Sequence, residues 1–368
     1  MKNYILLLLS FYSLQGLAQS RNPDSLRAKR YELKVKTMAG EGVKLPFESI
    51  KIMDSRFDTS KLGFGLGKLA SLMGSASFFR ILLKPGIEKG IESFYNQYYQ
   101  PAFTPNGKTL LISIKKLWID NMPVRSPHSA SQQNMERASL RDIYAKFEFY
   151  IGSQNGYVPL VRVDTVFQLT PLTKVDDYDR KDEDQLPFLC FALEEMVENV
   201  NFGWYMHASP TRKEMTLAGI ESYNAKMKSF PILTQPVKQG VFLTFDEFKN
   251  NLPSVTSFTK RKLRKTNITE LVDKNDNVIL HYYACYDGTT LRIGKPLSSL
   301  SKMVSPKYDI LYRVGNSFQL YDDQIVNNAV QGSVTDIHRS SPSIPYQYSY
   351  QSMNIIPRQL DLETGEFY

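Results

Sequence analysis

The sequence predicts an α+β protein, an N-terminal module of order β-α-β-β-β-α followed by a mostly antiparallel β module. Three observations carry this. In RDIYAKFEFYI, residues Ile143, Ala145, Phe147, Phe149 and Ile151 share one side and Tyr144, Lys146, Glu148 and Tyr150 the other, the pattern of a half-buried antiparallel strand. After Pro85, residues Ile87, Ile91, Phe94, Tyr95 and Tyr98 recur at steps of three and four, which makes an amphipathic helix. In VILHYYACYDGTTLRI, Asp-Gly separates two alternating runs, as in a β-hairpin.

The elements follow in order. The start MKNYILLLLSFYSLQGLAQS combines a basic Lys2, an apolar stretch from Tyr4 to Leu14, and small residues at Gly16-Leu17-Ala18. Residues 1–18 therefore read as a signal peptide cleaved before Gln19. No cysteine follows that site to carry a lipid anchor, and no later run approaches the roughly 20 apolar residues that span a bilayer. The expectation is an exported protein, periplasmic or secreted, without a transmembrane span.

From Phe47, FESIKIMDSRF alternates as a strand with Ile50 and Ile52 on one face. Lys68 to Leu83 carries a helical pattern, and the helix after Pro85 follows. TLLISIKKLWID (109–120), RDIYAKFEFYI (141–151) and VPLVRVDTVFQL (158–169) predict three strands, the last two joined at Asn155-Gly156. DEDQLPFLCFALEEMVENV closes the module as a helix, with Leu186, Leu189, Leu193, Met196 and Val200 on one stripe and acidic residues at its start, where the helix dipole favours them. In topology alone this order resembles small periplasmic modules of outer-membrane assembly and secretion lipoproteins.

A first domain is thus expected over 19–201, a connector over 202–240 and a β-rich domain over 241–368. In the connector, Thr211 and Glu214 are spaced as a capping box opening a short helix, and Pro231 and Pro236 bracket an extended piece. Thr244 and Glu247 form a second capping box, in a helix that Pro253 ends. ITELVD adds a strand. A two-residue loop at Asp287-Gly288 would pair Tyr286 with Thr289, Ala284 with Leu291 and Tyr282 with Ile293, giving one apolar face. YDILYRV and SFQLYDD flank Gly315-Asn316 as another hairpin, and a Pro-, Ser- and Tyr-rich tail leads to a last β segment with Leu360 and Leu362. Through TFDEFKNNLPS and YACYDGTTLRI the chain resembles exported two-module proteins of Gram-negative bacteria that join an α+β module to a β-rich module with an aromatic-Asp-Gly hairpin. That resemblance covers the last third and brings no activity or site residue with it.

The formal net charge of +8 would suggest nucleic acid inside a cell, but in an exported protein it points to anionic lipid, lipopolysaccharide or polysaccharide. DSRFDTSKLGFGLGKLA looks at first like a phosphate loop. A Walker loop, however, needs glycine where Leu62 stands and Ser or Thr where Leu69 stands. The looser dinucleotide pattern, Gly65 to Ala70 with Glu88 and Glu92 downstream, lacks an immediately preceding strand. The glycines are expected to let the loop lie close on the sheet, and no cofactor is expected. Spacings for zinc such as CxxC are absent.

His281, Tyr283, Cys285 and Asp287 would share a strand face, yet four residues of strand separate His281 from Cys285 by about 13 Å, too far for a nucleophile and its base. Cys190 and Cys285 are expected as separately buried thiols. Asp54, Arg56 and Asp58 would continue one face of the first strand about 7 Å apart, forming an ion-pair clasp or, as a second reading, a ligand contact. TKRKLRKT, with Lys260, Arg261, Lys262, Arg264 and Lys265, reads as a solvated edge protector or as a contact for an anionic envelope polymer.

These features point to an exported cell-envelope protein that works as a non-enzymatic binding or adaptor module, with an envelope protein or anionic glycan as partner and no nucleic acid. The alternative is a periplasmic hydrolase of glycan or peptide, which an acidic pair facing an open pocket would mark.

Overall fold

A four-stranded sheet frames the first module, and its alternating residues decide what packs on each side. The computed structural model describes residues 27–35, 44–66, 78–120, 141–169, 186–207, 212–262, 269–294, 309–322 and 358–367. The strands are β1 (Ala28–Tyr31), β2 (Leu45–Asp54), β3 (Phe64–Leu66), β4 (Phe78–Leu83), β5 (Phe103–Asp120), β6 (Arg141–Gly152) and β7 (Tyr157–Leu169). The helices are α1 (Ile87–Tyr98), α2 (Pro187–Glu198) and α3 (Phe202–His207). The main sheet runs β2-β5-β6-β7, with β2 parallel to β5 and the other pairs antiparallel. Together the helices and sheets make the protein α+β.

The apolar set of β6, Ile143, Ala145, Phe147, Phe149 and Ile151, faces the core as its alternation requires. Ile91, Phe94 and Tyr95 of α1 and Leu189, Leu193 and Met196 of α2 cover it. The Tyr95 hydroxyl donates to the Leu193 carbonyl at 2.8 Å, so the buried phenol also ties the two helices together.

Along its outer edge β2 is bonded to a helix. Glu88, Glu92 and Asn96 accept from the backbone N–H groups of Asp54 (2.8 Å), Ile52 (3.1 Å) and Ile50 (2.9 Å). Four residues of helix rise about 6 Å and two residues of strand about 6.6 Å, so three helix side chains keep step with three strand amides. Glu88 and Glu92 thus serve the sheet edge, and the strand preceding the glycines ends at Asp54, well before β3 begins at Phe64.

Several expectations change. The helical pattern over Lys68–Leu83 gives way to strand β4, whose Ile81 and Leu83 are buried at a period of two between β1 and β3. A short apolar run fits either period, and pairing on both sides decides it. Residues 67–77, including Gly67 and Lys68, lie outside the described residues. Gly63 bridges to Ile119 of β5, where a Cβ would lie 2.2 Å from the Ile119 carbonyl oxygen, and a Cβ on Gly65 would strike the Phe79 ring at 2.3 Å. Close approach accounts for these glycines. Helix α2 opens on Pro187 with no acidic residue in its first turn; the acidic run before it lies outside the described residues.

In the connector, Thr211 lies outside the described residues, and the helix there is α4 (Leu217–Met227), capped by Thr216, which accepts from the Gly219 N–H at 3.0 Å. Glu214 instead holds the β6–β7 loop, accepting from the Asn155 N–H at 3.2 Å and pairing with Ser153. Pro231–Thr234 is a single helical turn, α5, not an extended piece. Pro231 opens it, and Ile232 and Leu233 are buried.

The second module contains β8 (Gly240–Phe242), α6 (Phe245–Lys249), β9 (Phe258–Lys262), β10 (Thr269–Asp273), β11 (Ala284–Tyr286), β12 (Leu291–Ile293), β13 (Asp309–Val314), β14 (Ser317–Asp322) and β15 (Arg358–Gln359). An antiparallel sheet of order β15-β14-β13-β12-β11-β8 packs around Phe242, Phe248, Phe318, Leu360 and Leu362, while β9 and β10 pair separately. Thr244 caps α6 by accepting from the Glu247 N–H at 3.2 Å, and the Glu247 carboxylate accepts from the Leu243 N–H at 2.7 Å. The hairpin register differs from expectation by two residues, Ala284 facing Ile293 and Tyr286 facing Leu291. Asp287 is the reason: its Oδ1 accepts from the N–H groups of Thr289 (3.0 Å) and Thr290 (2.7 Å) and from the Thr289 hydroxyl (2.8 Å), organising a four-residue loop. A shift of two keeps Ala284, Leu291 and Ile293 on one buried face.

Among the described residues the modules touch at Phe57 and Asp58 and at the C-terminal turn. Phe57 packs into the second core and stacks on Phe230 at 6.0 Å, beside Asp58, which accepts from Gln319 at 3.1 Å. The turn after β15 lies against the main sheet of the first module. Among the described residues no helix is long and apolar enough to cross a membrane.

Candidate functional site

Alternation along β6 leaves the second face of the main sheet half exposed in expectation. Instead Lys146 and Glu148 are 2% and 7% exposed, because α4 and the C-terminal turn cover them. Ile220 of α4 packs on Leu111 and Tyr150, and Asn224 donates to the hydroxyls of Ser55 (2.7 Å) and Ser113 (3.2 Å).

Charges brought under this cover are paired. Lys115 lies 3.0 Å from Glu148, which also accepts from the Tyr150 hydroxyl at 2.8 Å. Lys146 meets Asp164 (2.8 Å), Glu363 (3.1 Å) and Asp361 (3.5 Å), while Lys116 pairs with Asp361. Arg162 pairs with Glu363 and lies 3.6 Å from Glu148. Burial alone would raise the Asp361 carboxyl, but Lys116 and Lys146 outweigh it and hold the pKa below the ordinary value. Burial would lower Lys146, and the carboxylates around it reverse the sign.

A cavity of about 460 Å³ opens at the edge of this face, where β6 and the start of β7 meet α3 and the segment leading into α4. Tyr150, Tyr205 and Tyr223 supply rings, Leu160 and Met215 apolar wall, and Glu148, Arg162 and Arg212 the charges. Burial first, then the neighbouring Glu148 carboxylate, pushes the Tyr150 and Tyr223 phenols upward, so both stay protonated at neutral pH. Arg212 donates through Nη1 to the carbonyls of Pro159 (3.0 Å) and Leu160. Among the described residues no carboxylate pairs with it.

The residues singled out from sequence lie elsewhere. β2 ends at Asp54, so Asp58 does not share its face. Arg56 forks onto Asp54 (2.8 and 2.9 Å) and reaches the carbonyls of Lys61 (2.7 Å) and Leu117 (3.2 Å). Asp58 instead pairs with the fully buried Lys61 at 2.8 Å, which overcomes burial and holds its pKa low. In β9, Lys260 pairs with Asp287 and Arg261 with Glu270 (3.2 Å) and Asp276 (3.1 Å). Lys262 ends that strand, and Arg264 and Lys265 lie outside the described residues. His281 is exposed and precedes β11, so it shares no strand face with Cys285. Cys190 and Cys285 are free and buried, their thiols pushed by burial up to about 12 and about 11. No cluster of three or more His, Cys, Asp or Glu among the described residues could hold a metal ion.

The cavity gathers residues from positions 148 to 223 on two strands and two helices. No short spacing announces it; Lys146 and Glu148 on an alternating strand are the one hint that the sequence offers. Compared with protein-family models, curated proteins and solved structures, the chain matches none.

Proposed function

We propose that this α+β chain is an exported cell-envelope protein that works by binding, and that the cavity beside β7 is where its ligand sits. The observation that carries this reading is the lining: three tyrosine rings and two arginines surround a single carboxylate, Glu148, already engaged by Lys115 and Tyr150. Recognition needs few oriented polar groups on an apolar wall. Hydrolysis by paired carboxylates needs two acids across the substrate, and Asp54 and Asp58 are each held by their own cation.

Affinity purification of the tagged full chain from its native envelope should recover a reproducible envelope component, whose recovery falls at least tenfold in Tyr205→Ala. Turnover of an envelope glycan or peptide that Glu148→Gln abolishes would overturn the reading in favour of the hydrolase.

A further inference from the structure

We infer that the cavity binds a carboxylated sugar, its ring laid against the tyrosines and its carboxylate on Arg212. The inference rests on the binding reading above and names the ligand chemistry. Among the described residues, Lys115, Lys116, Lys146 and Arg162 each pair with one of Glu148, Asp361, Asp164 and Glu363. Arg212, which lines the cavity and is half-buried, has no carboxylate of its own among them. Its Nη1 is held by two carbonyls, and its Nε and Nη2 have no partner among the described residues. A guanidinium anchored on one side offers its other edge as a fixed fork, the geometry that a planar carboxylate accepts with two parallel hydrogen bonds.

The remaining wall selects the body of the ligand. Tyr205 brings a ring to the cavity, and its hydroxyl has no partner among the described residues. The ring of Trp204 stands edge-on to it at 4.8 Å and is 61% exposed, an unusual state for so large an apolar side chain. An aromatic face is electron-rich and meets the C–H face of a pyranose favourably, while hydroxyls at the sugar's rim serve phenol and carboxylate partners. A purely apolar ligand would leave the Arg212 fork desolvated and unpaired, at substantial cost. The volume lies within the roughly 300–1,000 Å³ of small-molecule sites.

The test uses two disaccharides that differ only in one carboxylate, cellobiouronic acid and cellobiose, titrated calorimetrically into the full chain. Cellobiouronic acid should bind at least tenfold more tightly. Arg212→Gln should abolish the preference, Arg212→Lys, which keeps the charge without the fork, should retain part of it, and Tyr205→Ala should weaken both sugars alike. Because Arg212 also steadies two carbonyls, each variant's thermal unfolding is recorded, and the outcome for Arg212→Lys decides if Arg212→Gln does not fold. Equal affinity for the two sugars, no binding of either, or a preference that survives loss of the fork would overturn the carboxylate inference. A neutral sugar bound equally well would leave the binding reading standing, whereas Glu148-dependent cleavage of either sugar would remove that reading instead.

Discussion

Strand β6 is buried on both faces of the main sheet, yet by different means. Toward α1 and α2 the sheet presents Ile143, Phe147 and Phe149, and any close-packed apolar partner of the right shape would satisfy them. Toward α4 and the C-terminal turn it presents Lys146, Glu148 and Arg162, which only matching charges at fixed positions can satisfy. The first face gives stability without much selectivity. The second contributes less net stability but fixes which segment may cover it, since Asp361 and Glu363 reach Lys146 and Arg162 from 201 to 217 residues further along the chain.

The sharpest test of the contrast is to damage each face. Phe147→Ala should lower unfolding stability by about 3–5 kcal/mol, measured by urea denaturation, with little dependence on pH. A loss under about 1 kcal/mol would mean that the inner face is not the main source of stability. Asp361→Asn should cost less, about 2–3 kcal/mol at neutral pH, since Lys146 keeps Asp164 and Glu363. Its pH dependence has a definite sign. The folded pKa of Asp361 is depressed, so its contribution is complete above the unfolded value of about 3.9 and is lost as pH falls through the folded value. The gap between wild type and Asp361→Asn should therefore close between about pH 4 and the acid limit of the native state; a gap that widens there would contradict the pairing.

Much of the inner face is legible in the sequence, and little of the outer one. Alternation along RDIYAKFEFYI tells which side chains point together, because the period of a strand is two, but it does not tell whether a face meets water or protein. Strand β4 departs from its expected helix for a related reason: over six residues, FFRILL fits either period, and its partners β1 and β3 decide. At Asp287 the turn residues are readable while the register is not, since one carboxylate oxygen accepting three hydrogen bonds turns a two-residue loop into four. Beyond the charged residues on the alternating strand β6, the cavity leaves no sequence signal, because Glu148, Tyr205 and Arg212 come together only through the packing of α3 and the approach to α4.

The smallest expected effect concerns the outer edge of β2. Glu92→Gln keeps an oxygen for the Ile52 amide and should change stability by at most about 0.5 kcal/mol, whereas Glu92→Ala should cost about 1 kcal/mol. Hydrogen exchange at Ile52 should accelerate in the alanine variant alone. Equal exchange in both variants would assign the protection of that amide to packing.

That helix also acts as a ruler. Ile50, Ile52 and Asp54 turn their amides to α1, while the side chains of Ile50 and Ile52 enter the core, so the teeth at Glu88, Glu92 and Asn96 and the apolar pockets read the same residues. Sliding β2 by one position would turn those amides away from α1 and both isoleucines out of the core at once. Parallel pairing with β5 shifts register between Leu45 and Phe47 and again between Phe47 and Ser49, and is regular from Ser49 to Asp54. Over that regular stretch the side chains of a 12-residue helix hold the strand from its other edge.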